Sequence, residues 1–178
     1  ASSQPTASGS VSSRSDGTYL LTTSLSPGTY DLAGSKLGYV AQTRAALALT
    51  TTPSRQDLAL PIAVSLQGTV KDALTSGPVA AASVQLRQAG VTKASASSTT
   101  TGAYTLTTSL PAGSYELVVT KAGYLATRLL LTLPAGLTTQ AVTLTPGVWL
   151  SGRITDPSGS PLASALVQLK QAGVVKAS

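Results

Sequence analysis

The sequence has no histidine, cysteine, methionine or phenylalanine, and only 10% of its 178 residues are charged. Histidine is the most frequent general base in enzymes, and histidine together with cysteine supplies most zinc ligands. Serine–histidine–aspartate catalysis, thiol nucleophiles and disulfide cross-links are therefore all excluded. These absences predict that the protein is not an enzyme, and that it has no catalytic residue, no metal site and no cofactor.

The few acidic residues are spread along the chain, and no two of them lie within ten positions of each other. A calcium site needs several clustered oxygen ligands, and only Asp16 and Asp156 are candidates for one. For both aspartates we favour a turn in which the carboxylate accepts hydrogen bonds from its own backbone. Lys71 and Lys121 are candidates for a lysine–aspartate isopeptide cross-link, with ordinary solvated lysines as the favoured interpretation.

Positive charge exceeds negative charge by six, but the lysines and arginines occur singly along the chain. Nucleic-acid-binding proteins concentrate their basic residues on one face or helix, so we predict no nucleic-acid partner. No stretch approaches about 20 consecutive apolar residues, the length of a membrane-spanning helix, so we predict no membrane span. Hydrophobic residues nevertheless make up 42% of the chain, which is enough for a packed core.

An internal repeat of about 84 residues is the strongest feature of the sequence. The segment YLLTTSL at Tyr19–Leu25 returns as YTLTTSL at Tyr104–Leu110. The segment LQGTVKD at Leu66–Asp72 returns as LSGRITD at Leu150–Asp156. The chain therefore contains copies of one unit, cut out of phase.

The phase of the repeat predicts three domains. Residues 1–62 are the C-terminal part of a repeat, residues 63–147 are a complete repeat, and residues 148–178 are the N-terminal part of a further repeat. Neither partial copy can bury its apolar face alone, and each leaves open sheet edges. We expect the tail of one unit and the head of the next to build a second sandwich together, either within a longer covalent chain or by strand exchange between subunits.

Apolar residues alternate with serine and threonine along most segments, which indicates β-strands with one buried and one wet face. Such strands are expected at Tyr19–Leu25 and through Ala165, Val167 and Leu169, among other places. Turn clusters such as Pro111–Ser114 separate them. In the complete copy, the residues predicted to be largely buried are Tyr104, Leu106, Leu117, Val119, Leu131 and Val142.

The order of these blocks is similar to that of a known family. LSGRITDPSGSPLASALVQL at Leu150–Leu169 has a first strand ending in Asp, a glycine turn, Pro-Leu and then Ala-x-Val-x-Leu. SDGTYLLTTSLSPGTYDL at Ser15–Leu32 supplies the next block, and Gly-Tyr follows at Gly38-Tyr39 and Gly123-Tyr124. The sequence resembles the carboxypeptidase regulatory-like domain. That resemblance implies an all-β fold of tandem antiparallel seven-stranded sandwich modules, transthyretin-like, with one complete and two partial copies.

The family implies accessory, spacer and surface modules more than any one activity. We predict a structural repeat protein of an extracellular filament, stalk or surface layer, which associates head-to-tail with itself. Trp149 and Leu150 are expected to pack between adjacent modules, because tryptophan commonly lies at interfaces. The alternatives are an adhesion module that binds carbohydrate or cell-surface polysaccharide, and a spacer domain of a larger secreted enzyme. All of these place the protein outside the cell or on its surface.

Overall fold

The computed structural model describes residues 9–22 and 24–177, and within those ranges it contains twelve β-strands and no helix. The first two strands are β1 (Gly28–Gly34) and β2 (Gln42–Leu49). The next eight are β3 (Val64–Asp72), β4 (Ser83–Gln88), β5 (Val91–Ser97), β6 (Ala103–Thr107), β7 (Gly113–Thr120), β8 (Thr127–Leu133), β9 (Gly136–Thr139) and β10 (Val142–Leu144). The last two are β11 (Leu169–Gln171) and β12 (Val174–Ala177). The predicted all-β class is confirmed.

The strands from β3 to β10 form a sandwich of two sheets. One sheet has the order β5-β4-β7-β8, and in the other β3 lies between β6 on one side and β9 with β10 on the other. Alternate residues of both sheets point inward, as half-buried sheets require. The side chains that make this core are Val64, Leu66, Val70, Val79, Ala82, Val84, Leu86, Tyr104, Leu106, Tyr115, Leu117, Val119, Leu133, Val142 and Leu144.

Five of the six residues predicted to be buried in this sandwich are at most 2% exposed. The sixth, Leu131, is only partly buried against the core. It lies on β8, which pairs with β7 alone and therefore forms the edge of its sheet. An edge strand lacks a neighbour on one side, so its inward side chains are covered less completely.

The sandwich is not purely antiparallel, which corrects the expectation from the sequence. Strands β9 and β10 both run parallel to β3 and keep one register, with Val64 opposite Gly136 and Asp72 opposite Leu144. They are one strand interrupted at Gln140, so eight short strands stand where seven were expected. Local alternation reveals that a segment is a strand, but it carries no information about the direction of a partner 72 residues away.

The interruption at Gln140 coincides with a close approach of backbone to backbone. A Cβ atom added at Gly68 would lie 1.8 Å from the Gln140 carbonyl oxygen and 3.0 Å from the Tyr104 ring. The Tyr104 hydroxyl reaches past this glycine and donates a 2.6 Å hydrogen bond to the same carbonyl. Only glycine leaves room for this crossing.

Outside the sandwich the structure contains two hairpins. Strand β1 pairs with β2, and β11 pairs with β12, in each case antiparallel. The strands predicted at Tyr19–Leu25 and Ala165–Leu169 are absent from the described residues, apart from Leu169 at the start of β11. No described helix has the length and apolar character that a membrane crossing would require.

Candidate functional site

The two aspartates considered as calcium ligands lie in self-contained turns. Asp16 Oδ1 accepts hydrogen bonds from the Thr18 backbone nitrogen and hydroxyl, at 2.9 and 2.7 Å. Asp156 Oδ1 accepts a bond from the Ser158 hydroxyl at 2.7 Å, and bonds from the backbone nitrogens of Ser160 and Ser158 at 2.8 and 2.9 Å. These bonds stabilise the carboxylate form, so the pKa of each aspartate is lowered. The favoured interpretation as turns of the Asx type agrees with this geometry.

Asp72 ends β3 and organises the turn that follows it. Its Oδ1 accepts bonds from the backbone nitrogens of Thr75 and Leu74, and its Oδ2 accepts a 2.9 Å bond from the Tyr124 hydroxyl. The backbone bonds, and then the tyrosine, lower the pKa of Asp72. The same bond to Asp72 raises the pKa of Tyr124. This pair therefore has a structural role at the C-terminal end of β3.

No three metal-ligating side chains come together in the described residues. The ion pairs within the same residues are Arg55–Asp57 and Arg128–Glu116. Of the two lysines considered for a cross-link, Lys121 contacts a backbone carbonyl at 3.4 Å, and neither is paired with a carboxylate there. The features with the clearest functional meaning are therefore the unpaired strand edges of residues 1–62, called the head, and residues 148–178, called the tail.

The head repeats contacts of the complete sandwich. The Tyr19 hydroxyl donates a 2.6 Å bond to the Gln56 carbonyl, as Tyr104 does to Gln140 one repeat later. The Tyr30 hydroxyl donates to the Ser26 carbonyl four residues before it, and Tyr115 forms the equivalent bond to Pro111. The head thus repeats two side-chain hydrogen bonds of the complete sandwich.

Two neighbouring residues of the head differ in side-chain size from their counterparts in the complete copy, in opposite directions. The head has Gly34 where the complete copy has Val119, and it has Leu58 where that copy has Val142. A Cβ atom at Gly34 would lie 3.1 Å from Leu58 Cδ1, so the larger leucine fills the space left by the glycine. The glycine and leucine together have two side-chain carbon atoms fewer than the two valines of the complete copy, so the compensation is partial.

The head has no described counterpart of β3. In the complete copy β6 pairs only with β3, and β10 also pairs only with β3. The equivalents of β6 and β10 in the head, around Tyr19 and Leu58, consequently form no ladder with any described residue. No ladder forms at residues 18–22, whose counterparts in β6 pair with β3.

The tail has the opposite deficit. By the sequence repeat, it contains counterparts of β3, β4 and β5. It has no counterpart of β6, β9 or β10, which pair with β3, or of β7, which pairs with β4. Its apolar side chains are exposed where their counterparts are core residues: Val148 is 94% exposed, Leu150 77% and Val167 57%, whereas Val64, Leu66 and Val84 are at most 1% exposed. A strand through Ala165 and Val167 fails for the same reason as in the head.

The same backbone hydrogen bond recurs at the end of the head and at the end of the complete repeat. The Ala63 nitrogen donates to the Gly38 carbonyl at 3.0 Å, and the Gly147 nitrogen donates to the Gly123 carbonyl at 2.8 Å. Trp149 lies against the second of these hydrogen bonds. A Cβ atom added at Gly123 would be 2.9 Å from the Cζ2 atom of Trp149. Trp149 is otherwise 83% exposed. Its packing between modules, and that of Leu150, stays a prediction.

Head and tail leave the sandwich from opposite ends. The head joins β3 at Val64, and the tail follows Leu144, which lies opposite Asp72 at the other end of β3. At the usual rise per residue, β3 separates these ends by about 27 Å. The parallel pairing of β3 and β10, which the sequence did not reveal, is what places the two connections so far apart.

Comparison with known proteins gives one family and several solved structures. The model of the carboxypeptidase regulatory-like domain matches residues 65–145. No curated protein matches the chain. Similar solved structures include a candidate carbohydrate-binding protein of Bacteroides uniformis, at 17% identity and a TM-score of 0.40, with 47% of this chain and 41% of that protein covered.

Two further structures illustrate the range of proteins that share this likeness. The 5-hydroxyisourate hydrolase of Klebsiella pneumoniae is 19% identical with a TM-score of 0.41, over 52% of this chain and 99% of that one. The pilus 2b backbone protein of group B streptococcus is 17% identical with a TM-score of 0.39, over 65% of this chain and 52% of that one. The family match coincides with the two-sheet sandwich and its core. Residues 65–145 are therefore a carboxypeptidase regulatory-like domain.

Proposed function

We propose that the protein is a non-catalytic structural module of an extracellular filament, stalk or surface layer, and that copies associate head-to-tail. In this assembly the tail of one copy completes the sandwich that the head of the next copy begins. The complete sandwich between them acts as a rigid spacer. Reactive side chains are not needed for this function, in keeping with a chain that lacks histidine and cysteine.

The observation that carries the proposal is the pattern of strands that form in the partial copies. Both hairpins, β1–β2 and β11–β12, have their two strands within one partial copy. The predicted strands that are absent have their repeat partners in the other partial copy. Head and tail are therefore complementary at the level of backbone pairing, and main-chain hydrogen bonds between them would supply affinity as in other cases of strand addition.

The exposed apolar residues of the tail add a driving force. Val148, Leu150 and Val167 correspond to core residues and would be buried on association. Each fully buried aliphatic side chain of this kind contributes about 1.5–3 kcal/mol. Because head and tail leave the sandwich at opposite ends, the tail of one copy does not pair with the head of the same copy. A head-to-tail contact between copies that does not close into a ring grows into a filament.

Two matched substitutions test this function. Val167→Asp places a charge on a tail side chain that is exposed in the isolated chain, so it leaves the sandwich folded and blocks burial in a partner. Leu130→Asp makes the same change on an 88% exposed leucine of β8 and is the control. Light scattering and electron microscopy should show filaments for the wild type and Leu130→Asp, and monomers for Val167→Asp. A wild type that stays monomeric at every concentration would refute the assembly.

Carbohydrate binding is the second candidate function. Its support is Trp149, the only tryptophan of the chain, which exposes an indole large enough to stack on a sugar ring. Titration of surface polysaccharides against the fluorescence of this single tryptophan tests it directly. A saturable change that Trp149→Ala abolishes would favour the adhesion module, and silence across a glycan array would favour the structural role. A spacer role within a larger secreted enzyme is compatible with either result.

A further inference from the structure

The complete sandwich shows how the two hairpins would meet. In the sheet of order β5-β4-β7-β8, the β4–β5 hairpin and the β7–β8 hairpin join through β4 and β7. The register there places Leu86 opposite Leu117 and Arg87 opposite Glu116. This junction is the one contact between the N-terminal and C-terminal hairpins of a repeat within that sheet.

The partial copies keep most of each half of this junction. The head differs by a register shift between Tyr30 and Leu32, where Asp31 Oδ1 accepts a 2.9 Å hydrogen bond from the Ala46 nitrogen. Hairpin β11–β12 repeats the pairing of β4–β5, including the bulge: Leu169 lies opposite Ala177, as Leu86 lies opposite Ala94. Ala172 repeats the positive φ of its counterpart Ala89, at 49° and 48°. In the head, Tyr30 lies opposite Leu47, just as Tyr115 lies opposite Leu131 one repeat later.

We infer that β11 of one copy pairs antiparallel with β1 of a second copy in one register, with Lys170 opposite Asp31 and Leu169 opposite Leu32. This inference rests on the proposed head-to-tail assembly and adds its register. The completed sheet then has the order β12-β11-β1-β2. Each residue occupies the place that its repeat counterpart holds in the β4–β7 pairing.

Charge complementarity supports this register. The complete copy sets Arg87 opposite Glu116, and the inferred junction sets Lys170 opposite Asp31, so a positive residue lies across from a negative one in both. In the complete copy the ion pair of Glu116 is made with Arg128 of the neighbouring strand, so the complementarity is one of register position. Opposite charges stabilise a cross-strand pair, whereas a slip by one residue turns every side chain to the other face. A slip would also point Leu169 toward water.

A glycine and a tyrosine mark the same register in the second sheet. Gly152 is the repeat counterpart of Gly68, and it has no atom within 4 Å of an added Cβ in the isolated chain. In the assembly it would lie between Tyr19 and Gln56 of the second copy, as Gly68 lies between Tyr104 and Gln140. Asp156 would then take the place of Asp72 and accept a hydrogen bond from the hydroxyl of Tyr39.

Cysteine pairs test the register cleanly, because the chain has no cysteine of its own. One preparation carries Asp31→Cys and the other Lys170→Cys, both at exposed positions. Residues directly opposite each other in a sheet are about 4.5–5.5 Å apart at Cα, which a disulfide can span. The control replaces Lys170→Cys with Gln168→Cys, which is two residues away on the same face and too distant to bridge.

Mixing and oxidation should cross-link Asp31→Cys chains to Lys170→Cys chains in high yield, with at least tenfold less product for Gln168→Cys. Preferred cross-linking through Gln168→Cys, or none in samples that light scattering shows to be assembled, would overturn the register and leave the assembly standing. Absence of assembly in the wild type would overturn both. As a second variant, Gly152→Ala should weaken assembly at least tenfold, whereas Ser151→Ala should not; equal assembly of the two would contradict the place of Gly152.

Discussion

The Tyr104 hydroxyl and the Gln140 carbonyl, 36 residues apart, are joined by a 2.6 Å hydrogen bond that passes over Gly68. The bond ties β6 to the interrupted last strand across β3. Tyr19 and Gln56 make the same bond in the head, where no described residue stands in the place of Gly68. The head thus keeps this hydrogen bond although no described strand crosses beneath it.

Gly68→Ala should destabilise the sandwich, because the new methyl would lie 1.8 Å from the Gln140 carbonyl oxygen, which accepts the hydrogen bond from the Tyr104 hydroxyl. We expect a loss of about 1–3 kcal/mol or more in the free energy of unfolding, as for other overpacked sites. Urea denaturation measures it. Gly152→Ala is the matched control in dilute solution, and equal stability of the two variants would contradict this account of Gly68.

Leu106→Ala should lower the free energy of unfolding by about 2–5 kcal/mol, the usual cost of removing a buried leucine side chain. Leu106 is 2% exposed and belongs to the core between the sheets. The control is Leu130→Ala on the outer face of β8, for which a change within about 0.5 kcal/mol is expected. A small effect at Leu106 would mean that the two sheets do not pack as described.

Stability should fall in alkaline solution as the pH rises from 10 to 12. Burial raises the pKa of Tyr104 from its ordinary value of 10.0 to about 12. Between these values the unfolded chain releases the phenolic proton and the folded chain keeps it, so unfolding is favoured. Urea midpoints measured across this range should fall less steeply for Tyr104→Phe than for the wild type. If the urea midpoints of the two proteins fall in parallel as the pH rises, Tyr104 does not contribute to the loss of stability.

Calcium and zinc should not bind stoichiometrically. Asp16 and Asp156 each use one carboxylate oxygen to hold their own turn. Neither belongs to a group of three metal-ligating side chains in the described residues. Isothermal titration with either ion should give only the heat of dilution, and Asp156→Asn should leave the trace unchanged. A one-to-one binding curve that this substitution abolishes would contradict the prediction.

Much of this fold could be predicted from the sequence because its information is local and repeated. Alternation around Leu106 and Leu117 identified core strands, and the offset between Tyr19 and Tyr104 identified the repeat. Gly152 also carried a signal, since it repeats Gly68 within LQGTVKD and LSGRITD. That signal gained a physical meaning only when the structure placed a backbone oxygen beside Gly68.

The features that could not be predicted depend on partners distant in the chain. The parallel pairing of β3 with β10 follows from packing of the whole sandwich, because residue alternation is the same for either strand direction. The strand expected at Tyr19–Leu25 was wrong for a related reason. Its sequence has the alternation of a strand, but a ladder also requires a neighbour, and β6 shows that this neighbour is the equivalent of β3.

Amide hydrogen exchange measures the central claim most directly, because it reports whether unpaired backbone acquires partners. The segments to follow are residues 19–22, 56–60 and 148–155, with β3 as an internal reference for protected amides. In the assembled protein all three segments should become protected together as concentration rises, and Val167→Asp should keep them unprotected. Exchange at unprotected rates in these segments, in samples where β3 is protected and assemblies are present, would contradict completion of the head by the tail of another copy.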